Sequence, residues 1–123
     1  MEISTAEQNG ISIAVVKSDE LLITDTQSAL DLIATIYYET KCDCIAIYKE
    51  SITEAFFVLS SKVAGDILQK FVNYGVKLAI IGDFSTYTSK PLQDFIYESN
   101  RGNSIFFVYT KESAIEKLSK DMV

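Results

Sequence analysis

The sequence predicts an α/β protein whose mixed, mostly parallel sheet has about five strands, with an N-terminal β-hairpin and about four helices. Two observations support this fold class. An Asn9-Gly10 pair lies between two short segments that can form strands, and Asn-Gly is a preferred pair for the type I′ turn of a hairpin. After this pair, three short apolar runs alternate with amphipathic helical patterns, which is the element order of parallel strands connected by helices.

The first half of the chain contains the hairpin, one helix and one buried strand. The hairpin is predicted over residues 2–8 and 11–16. Residues 24–26 (Thr-Asp-Thr) offer N-caps for a helix that ends near Lys41, because the apolar residues between these limits recur at helical spacing. Residues 42–48 are a nearly continuous apolar run with β-branched members, which predicts a strand covered on both faces.

The second half repeats the strand and helix pattern. A helical turn over 54–59 precedes a helix that begins at Ser60 or Ser61 and is closed by Gly75. The remaining elements are a strand over 76–81, a helix over 91–101, a strand over 104–109 and a final helix capped by Thr110.

Length and composition indicate a single domain over residues 1–123. The chain is 48% hydrophobic and 23% charged, as globular proteins are. Its net charge of −6 argues against broad electrostatic binding to nucleic acid. No apolar run approaches the length of a membrane span, and the N-terminal residues lack the pattern of a secretory signal. We therefore expect a cytoplasmic protein that does not associate with membranes.

The absence of histidine excludes several kinds of site. Without imidazole, the chain cannot form Ser-His-Asp or Cys-His catalytic sets or histidine metal sites. Cys42 and Cys44 are predicted to lie on one face of a strand, where two thiols supply at best half of a zinc site. Buried cysteines that act as small apolar side chains are the expected state. We expect neither a metal nor a cofactor.

The element order resembles the STAS fold of bacterial anti-sigma-factor antagonists. The segment 57–65 (Phe-Val-Leu-Ser-Ser-Lys-Val-Ala-Gly) is similar to the antagonist loop in which an Asp-Ser-Ser-Gly run opens the second helix. By this resemblance Ser61 takes the place of the phosphorylated serine. Leu59 and Lys62 stand where that motif has Asp and Gly.

The chain is also similar to an uncharacterised bacterial family, domain of unknown function 4180. The resemblance covers nearly the whole chain and implies no particular activity. It rests on Phe56-Phe57, residues 64–71, Gly82-Asp83-Phe84 with Tyr87 and Ser89, and residues 94–102.

Several polar residues follow the predicted parallel strands. Asp83, Ser85 and Tyr87 come after the strand over 76–81, and Glu50 comes after the neighbouring one. The carboxyl ends of parallel strands meet at one edge of a sheet, where open α/β folds bind ligands. These four residues are therefore the candidate ligand-binding residues. In the alternative, Asp83 caps a turn and Ser85 bonds to nearby backbone.

Ser60 and Ser61 mark a second candidate site at a predicted helix start. The free N–H groups there could bind a phosphate, and the helix dipole would stabilise a phosphoserine. In the alternative, one of the two serines is an ordinary N-cap.

Asn100 and Arg101 lie at the end of the helix predicted over 91–101. Arg101 could hold an anion, and Asn100 could bond to a ligand or a loop. In the alternative, which we favour, both residues only help to end the helix.

The absence of a recognisable catalytic set, together with the STAS-like element order, predicts a regulatory or protein-interaction domain without catalysis. Its partner would be a protein, and a homodimer is compatible with the sequence. The working surface would combine the Ser60-Ser61 segment with the adjoining loops. The alternative function is a small-ligand-binding protein or a weak hydrolase that uses the loop after the strand 76–82. A structural partner subunit is a third hypothesis.

Overall fold

The computed structural model describes residues 1–120, which form a five-stranded mixed sheet with four α-helices. The strands lie side by side in chain order; the first pair is antiparallel and the other pairs are parallel. They are β1 (Glu2–Gln8), β2 (Ile11–Lys17), β3 (Cys44–Tyr48), β4 (Lys77–Ile81) and β5 (Ile105–Val108). The predicted α/β class, mixed sheet and N-terminal hairpin are confirmed.

Three helices and short 3₁₀ turns connect the strands, and a fourth helix follows β5. The helices are α1 (Thr26–Thr40), α2 (Val63–Asn73), α3 (Lys90–Arg101) and α4 (Lys111–Leu118). The 3₁₀ turns are Lys49–Ser51, Glu54–Phe57 and Leu59–Ser61, all between β3 and α2. Within residues 1–120, no helix has the length and apolar character that crossing a membrane requires.

The three connecting helices share one face of the sheet. Each parallel connection adds its strand on the same side of the previous one, so right-handed crossovers place α1, α2 and α3 together. These helices bury Ile47 and Ile80 of the sheet. On the opposite face, Leu118 of α4 packs in a cluster with Ala46 and Ala79. Because the strand order does not reverse within residues 1–120, this sheet lacks the switch point at which open α/β folds form a ligand crevice.

The hairpin turn has the predicted conformation. Asn9 and Gly10 have φ values of 55° and 76°, the left-handed backbone that a type I′ turn requires. The Asn9 side-chain amide also donates a hydrogen bond of 3.2 Å to the Ser119 carbonyl. The turn is thereby fastened to the chain that follows α4.

Helix α1 begins at a capping box. The Asp25 carboxylate accepts a hydrogen bond of 2.8 Å from the Ser28 N–H, and the Ser28 hydroxyl lies 3.0 Å from the Asp25 N–H. Two backbone donors of the first turn are satisfied in this way. The helix ends at Thr40, and the following Lys41 has a left-handed backbone (φ 63°) and donates its N–H to the Tyr37 carbonyl.

Helix α2 begins later than the sequence predicts. It starts at Val63 instead of Ser60 or Ser61, and these serines end a 3₁₀ turn. The N-cap position is taken by Lys62, which has a left-handed backbone (φ 66°) and makes no side-chain capping bond. Neither serine is therefore the N-cap of α2.

Cys42 and Cys44 are buried, as predicted, but on opposite faces of the sheet. The strand begins at Cys44, so the alternation of strand side chains does not extend back to Cys42. Cys42 belongs to the core under α1, and Cys44 belongs to the core under α4. Burial raises the pKa of the Cys44 thiol to about 11, which keeps it protonated and unreactive near neutral pH.

Candidate functional site

The carboxyl edge of the sheet brings together two segments that are far apart in the chain. The Tyr87 hydroxyl, on the loop after β4, lies 3.1 and 3.2 Å from the two carboxylate oxygens of Glu54 and donates to that carboxylate. The Tyr87 ring also stacks on Phe57, with centroids 5.1 Å apart. The loop after β4 is thereby attached to the 3₁₀ turn that leads to Ser60 and Ser61.

Lys49 completes this group, which we call the edge cluster (Lys49, Glu54, Phe57 and Tyr87). Its ammonium nitrogen lies 5.2 Å from the Tyr87 ring centroid and 5.9 Å from that of Phe57. The same nitrogen is 3.9 Å from a Glu54 oxygen. The Lys49 side chain is 20% exposed and that of Glu54 is 74% exposed, so the lysine stem packs inward while the carboxylate stays in water.

The pKa values in the edge cluster follow from these contacts. The Tyr87 side chain beside the ammonium raises the pKa of Lys49, an effect that exceeds the opposing effect of burial. Burial raises the pKa of Tyr87. Near neutral pH the lysine is therefore charged and the tyrosine is neutral, which makes both of them hydrogen-bond donors instead of a nucleophile and a base.

Gly82, directly after β4, allows the chain to pass close to Lys49, which directly follows β3. A Cβ atom at Gly82 would lie 2.7 Å from the Cβ of Lys49, a distance at which one of the two must move. Because that neighbour is the base of the lysine side chain, rotation of its outer bonds would not relieve the contact. The glycine is therefore required for the position of Lys49.

Asp83 and Ser85 form a local turn at this edge. The Asp83 carboxylate accepts a hydrogen bond of 2.9 Å from the Ser85 N–H. Hydrogen bonding by Ser85, through its hydroxyl and its backbone, lowers the pKa of Asp83. A turn capped by Asp83 is the arrangement predicted from the sequence as the alternative to a ligand site. Both side chains are exposed, so they remain accessible to a partner.

We expect the Asp83 carboxylate to make stability depend on pH in the acid range. Its pKa in the folded state lies below the ordinary value of 3.8, so the unfolded chain binds the proton more readily. The stability that it contributes is present above pH 3.8 and is lost as the pH falls through the folded pKa. The Asp83→Asn variant should therefore have a lower Tm than the wild type at pH 6, and the difference should shrink towards pH 3. A difference that is equal at both pH values would contradict this assignment.

The remaining predicted residues lie at the same edge with different surroundings. Glu50 is exposed in the first 3₁₀ turn, and its charge contributes only slightly to the raised pKa of Lys49. Ser60 is exposed. Ser51, which follows Glu50 in the chain and is not among the predicted site residues, is completely buried. Its hydroxyl donates a hydrogen bond of 3.1 Å to the Ser18 carbonyl.

Ser61 holds the segment before α2 in its shape. Its hydroxyl oxygen is 2.7 Å from the Ala55 carbonyl and 2.6 Å from the Val58 carbonyl. The same oxygen accepts a hydrogen bond of 3.2 Å from the Val63 N–H. The residue is nevertheless exposed at the surface.

Asn100 and Arg101 take no part in the edge cluster. Asn100 bonds to the backbone of Phe107 in β5 through both ends of its amide. The Arg101 guanidinium lies 5.6 Å from the Tyr97 ring centroid and 3.9 Å from Glu98. Asn100 therefore pairs with β5 instead of only helping to end the helix, whereas the contacts of Arg101 stay within α3.

Sequence reasoning missed Lys49, Glu54 and Phe57. The signal for Lys49 is weak but real, since it directly follows a buried strand at the edge where Asp83 was expected. Glu54 and Phe57 carry no such signal, because their approach to Tyr87 depends on how the 3₁₀ turns pack.

Comparison with known proteins identifies a family. The model of a family described as Domain of unknown function (DUF4180) matches residues 8–118. No curated protein and no solved structure matches the chain. Because the match covers most of its length, the chain belongs to the DUF4180 family.

Proposed function

We propose that this chain is a cytoplasmic regulatory domain of STAS-like architecture that binds a protein partner without catalysis. The partner would bind the edge surface, defined as residues 49–62 and 82–89. The observation that carries the proposal is the Tyr87–Glu54 hydrogen bond, because it joins the serine segment and the Asp83 loop into one surface.

The chemistry of the edge surface favours binding over catalysis. Asp83 has a lowered pKa and is bonded to its own turn, so it is a poor general acid at neutral pH. Glu50, Ser60 and Ser85 are exposed, as polar contacts of a protein interface are before binding. The small-ligand or hydrolase alternative, with Asp83, Ser85, Tyr87 and Glu50, has less support and stays a prediction, as does a homodimer.

Ser61 is the residue through which the edge surface would be regulated. Lys62 has a left-handed backbone at the position where the antagonist motif has glycine, so the local conformation suits that motif. A partner kinase would transfer the γ-phosphoryl group of a nucleoside triphosphate to the Ser61 oxygen. The bond between the γ-phosphorus and its bridging oxygen breaks, the nucleoside diphosphate leaves, and a base of the kinase takes the hydroxyl proton. The phosphoserine would carry about two negative charges and could no longer donate to the Ala55 and Val58 carbonyls. The turn before α2 would then have to rearrange.

The test compares partner binding by charge-reversal variants. A partner captured by the wild type and identified by mass spectrometry is titrated against Glu50→Lys, Asp83→Lys and the control Glu116→Lys. Glu116 is exposed on α4, on the other face of the sheet. We expect the two edge variants to raise Kd about tenfold or more and the control to leave it unchanged. Equal Kd values for all four proteins would overturn the proposed surface.

The proposed regulation through Ser61 is tested separately. Ser61→Asp is expected to change the Kd for the same partner, whereas Ser60→Ala should not, because only Ser61 bonds to the turn carbonyls. Circular dichroism of each variant separates a local effect from unfolding. If Ser61→Asp and Ser61→Ala both bind as the wild type does, the phosphorylation switch must be abandoned while the interaction surface stands.

A further inference from the structure

A groove of about 570 Å³ lies at the opposite edge of the sheet, where β3 and β4 begin. One wall is a stripe of α1 that includes Leu30, Ala34 and Tyr37, and the other wall includes Tyr74 and Val76. Its volume is within the range of about 300–1,000 Å³ that is typical of small-molecule sites. The edge surface of the proposed function lies at the other end of the strands.

The groove leaves apolar surface in water. Tyr37 is 57% exposed and Tyr74 is 65% exposed, although both rings belong to elements that pack against the core. The α1 stripe has helical spacing but faces the groove, while a different stripe, including Leu32 and Ile36, is buried in the core. The apolar residues of the α1 stripe thus lie outside the core and line the groove as one patch. Contiguous apolar patches at a protein surface indicate binding sites.

Two carboxylates give the groove a charge preference. Asp31 and Asp43 both line it, and neither forms an ion pair with any residue between 1 and 120. Asp31 accepts a hydrogen bond of 2.9 Å from the neutral Gln27 side chain, and Asp43 accepts one of 3.8 Å from the Cys44 thiol. Neither contact brings a positive charge to these carboxylates. Both aspartates are exposed, so their carboxylates are accessible to a cation that enters the groove.

We propose that this groove binds a small organic cation with an apolar body and one protonated amine. The apolar body would cover Leu30, Ala34 and the tyrosine rings, and the amine would lie against Asp31 and Asp43. Tyrosine faces also attract cations. The Lys41 ammonium already lies 5.3 Å from the Tyr37 ring centroid, so the amine would contact the Tyr74 ring. An anionic or neutral molecule of equal size would have only the apolar contacts.

The proposal is tested with three probes of matched size on the full chain. 2-Phenylethylamine is titrated by NMR, with 2-phenylethanol as the neutral control and 3-phenylpropionate as the anionic one. We expect the amine to shift the amide signals of Leu30, Ala34 and Tyr74 and to bind about tenfold more tightly than either control. Equal binding of the amine and the alcohol would overturn the proposed charge selection. Shifts confined to other residues, or none, would overturn the site.

Variants assign the effect to the two carboxylates. In Asp31→Asn with Asp43→Asn, the Kd of the amine should rise about tenfold, and in the control Glu116→Gln it should not change. Ala34→Trp should fill the groove and abolish binding of all three probes. If instead the groove signals broaden with protein concentration in the absence of any probe, the groove is an interface between copies of the chain, and the proposal is wrong.

Discussion

The Phe57→Ala variant is expected to lose about 3–5 kcal/mol of unfolding free energy, the usual cost of removing a buried aromatic ring. Phe57 is 3% exposed and lies 5.0 Å from Phe56 and 6.1 Å from Phe84, measured between ring centroids. It also stacks on Tyr87 and lies under the Lys49 ammonium. The variant should therefore lose core packing and the edge cluster together, as urea denaturation followed by circular dichroism would show.

Two further variants separate these effects. Phe57→Leu fills much of the same volume and should cost less stability, but it removes the ring on which Tyr87 stacks. Its Tyr87 ring signals in NMR should shift towards those of an exposed tyrosine. Val58→Ala is the control, because Val58 is adjacent but 53% exposed, and it should stay within about 0.5 kcal/mol of the wild type. A loss below about 1 kcal/mol for Phe57→Ala would mean that the ring is not part of the core.

Local patterns predict the sheet of this protein well. The Asn9-Gly10 turn and the apolar runs that become β3, β4 and β5 depend on turn chemistry and burial, which neighbouring residues determine. The start of α2 is not predicted correctly, since Ser61 bonds to the Ala55 and Val58 carbonyls instead of capping the helix. The packing of the preceding 3₁₀ turns determines whether the Ser61 hydroxyl bonds to the turn or caps the helix.

The candidate site is predictable only in part, for a physical reason. Parallel strands deliver their carboxyl ends to one edge, which places Asp83 and Tyr87 together with the residues after β3. Which side chain after β3 approaches Tyr87 depends on the space that Gly82 leaves for Lys49. The sequence shows a glycine at that position but does not show which residue it accommodates.

The second large effect is expected at Asn100, whose side chain covers the free edge of β5. Its amide oxygen accepts a hydrogen bond of 2.7 Å from the Phe107 N–H, and its amide nitrogen donates one of 3.1 Å to the Phe107 carbonyl. The side chain thus takes the place of a neighbouring strand. Asn100→Ala leaves both backbone groups unpaired, so we expect a loss of about 1–3 kcal/mol in urea denaturation.

Comparison with two neighbouring changes tests whether the paired amide is the cause. Asn103→Ala alters an exposed asparagine close in the chain and should have almost no effect. Asn100→Asp keeps the acceptor for the Phe107 N–H but places a carboxylate oxygen against the Phe107 carbonyl, so near neutral pH it should be as destabilising as the alanine.

An unpaired strand edge also favours pairing between chains, so Asn100→Ala should associate at concentrations where Asn103→Ala does not, as sedimentation velocity would measure. If Asn100→Ala were as stable as Asn103→Ala, water would satisfy Phe107 equally well and the asparagine would have no protective role at this edge.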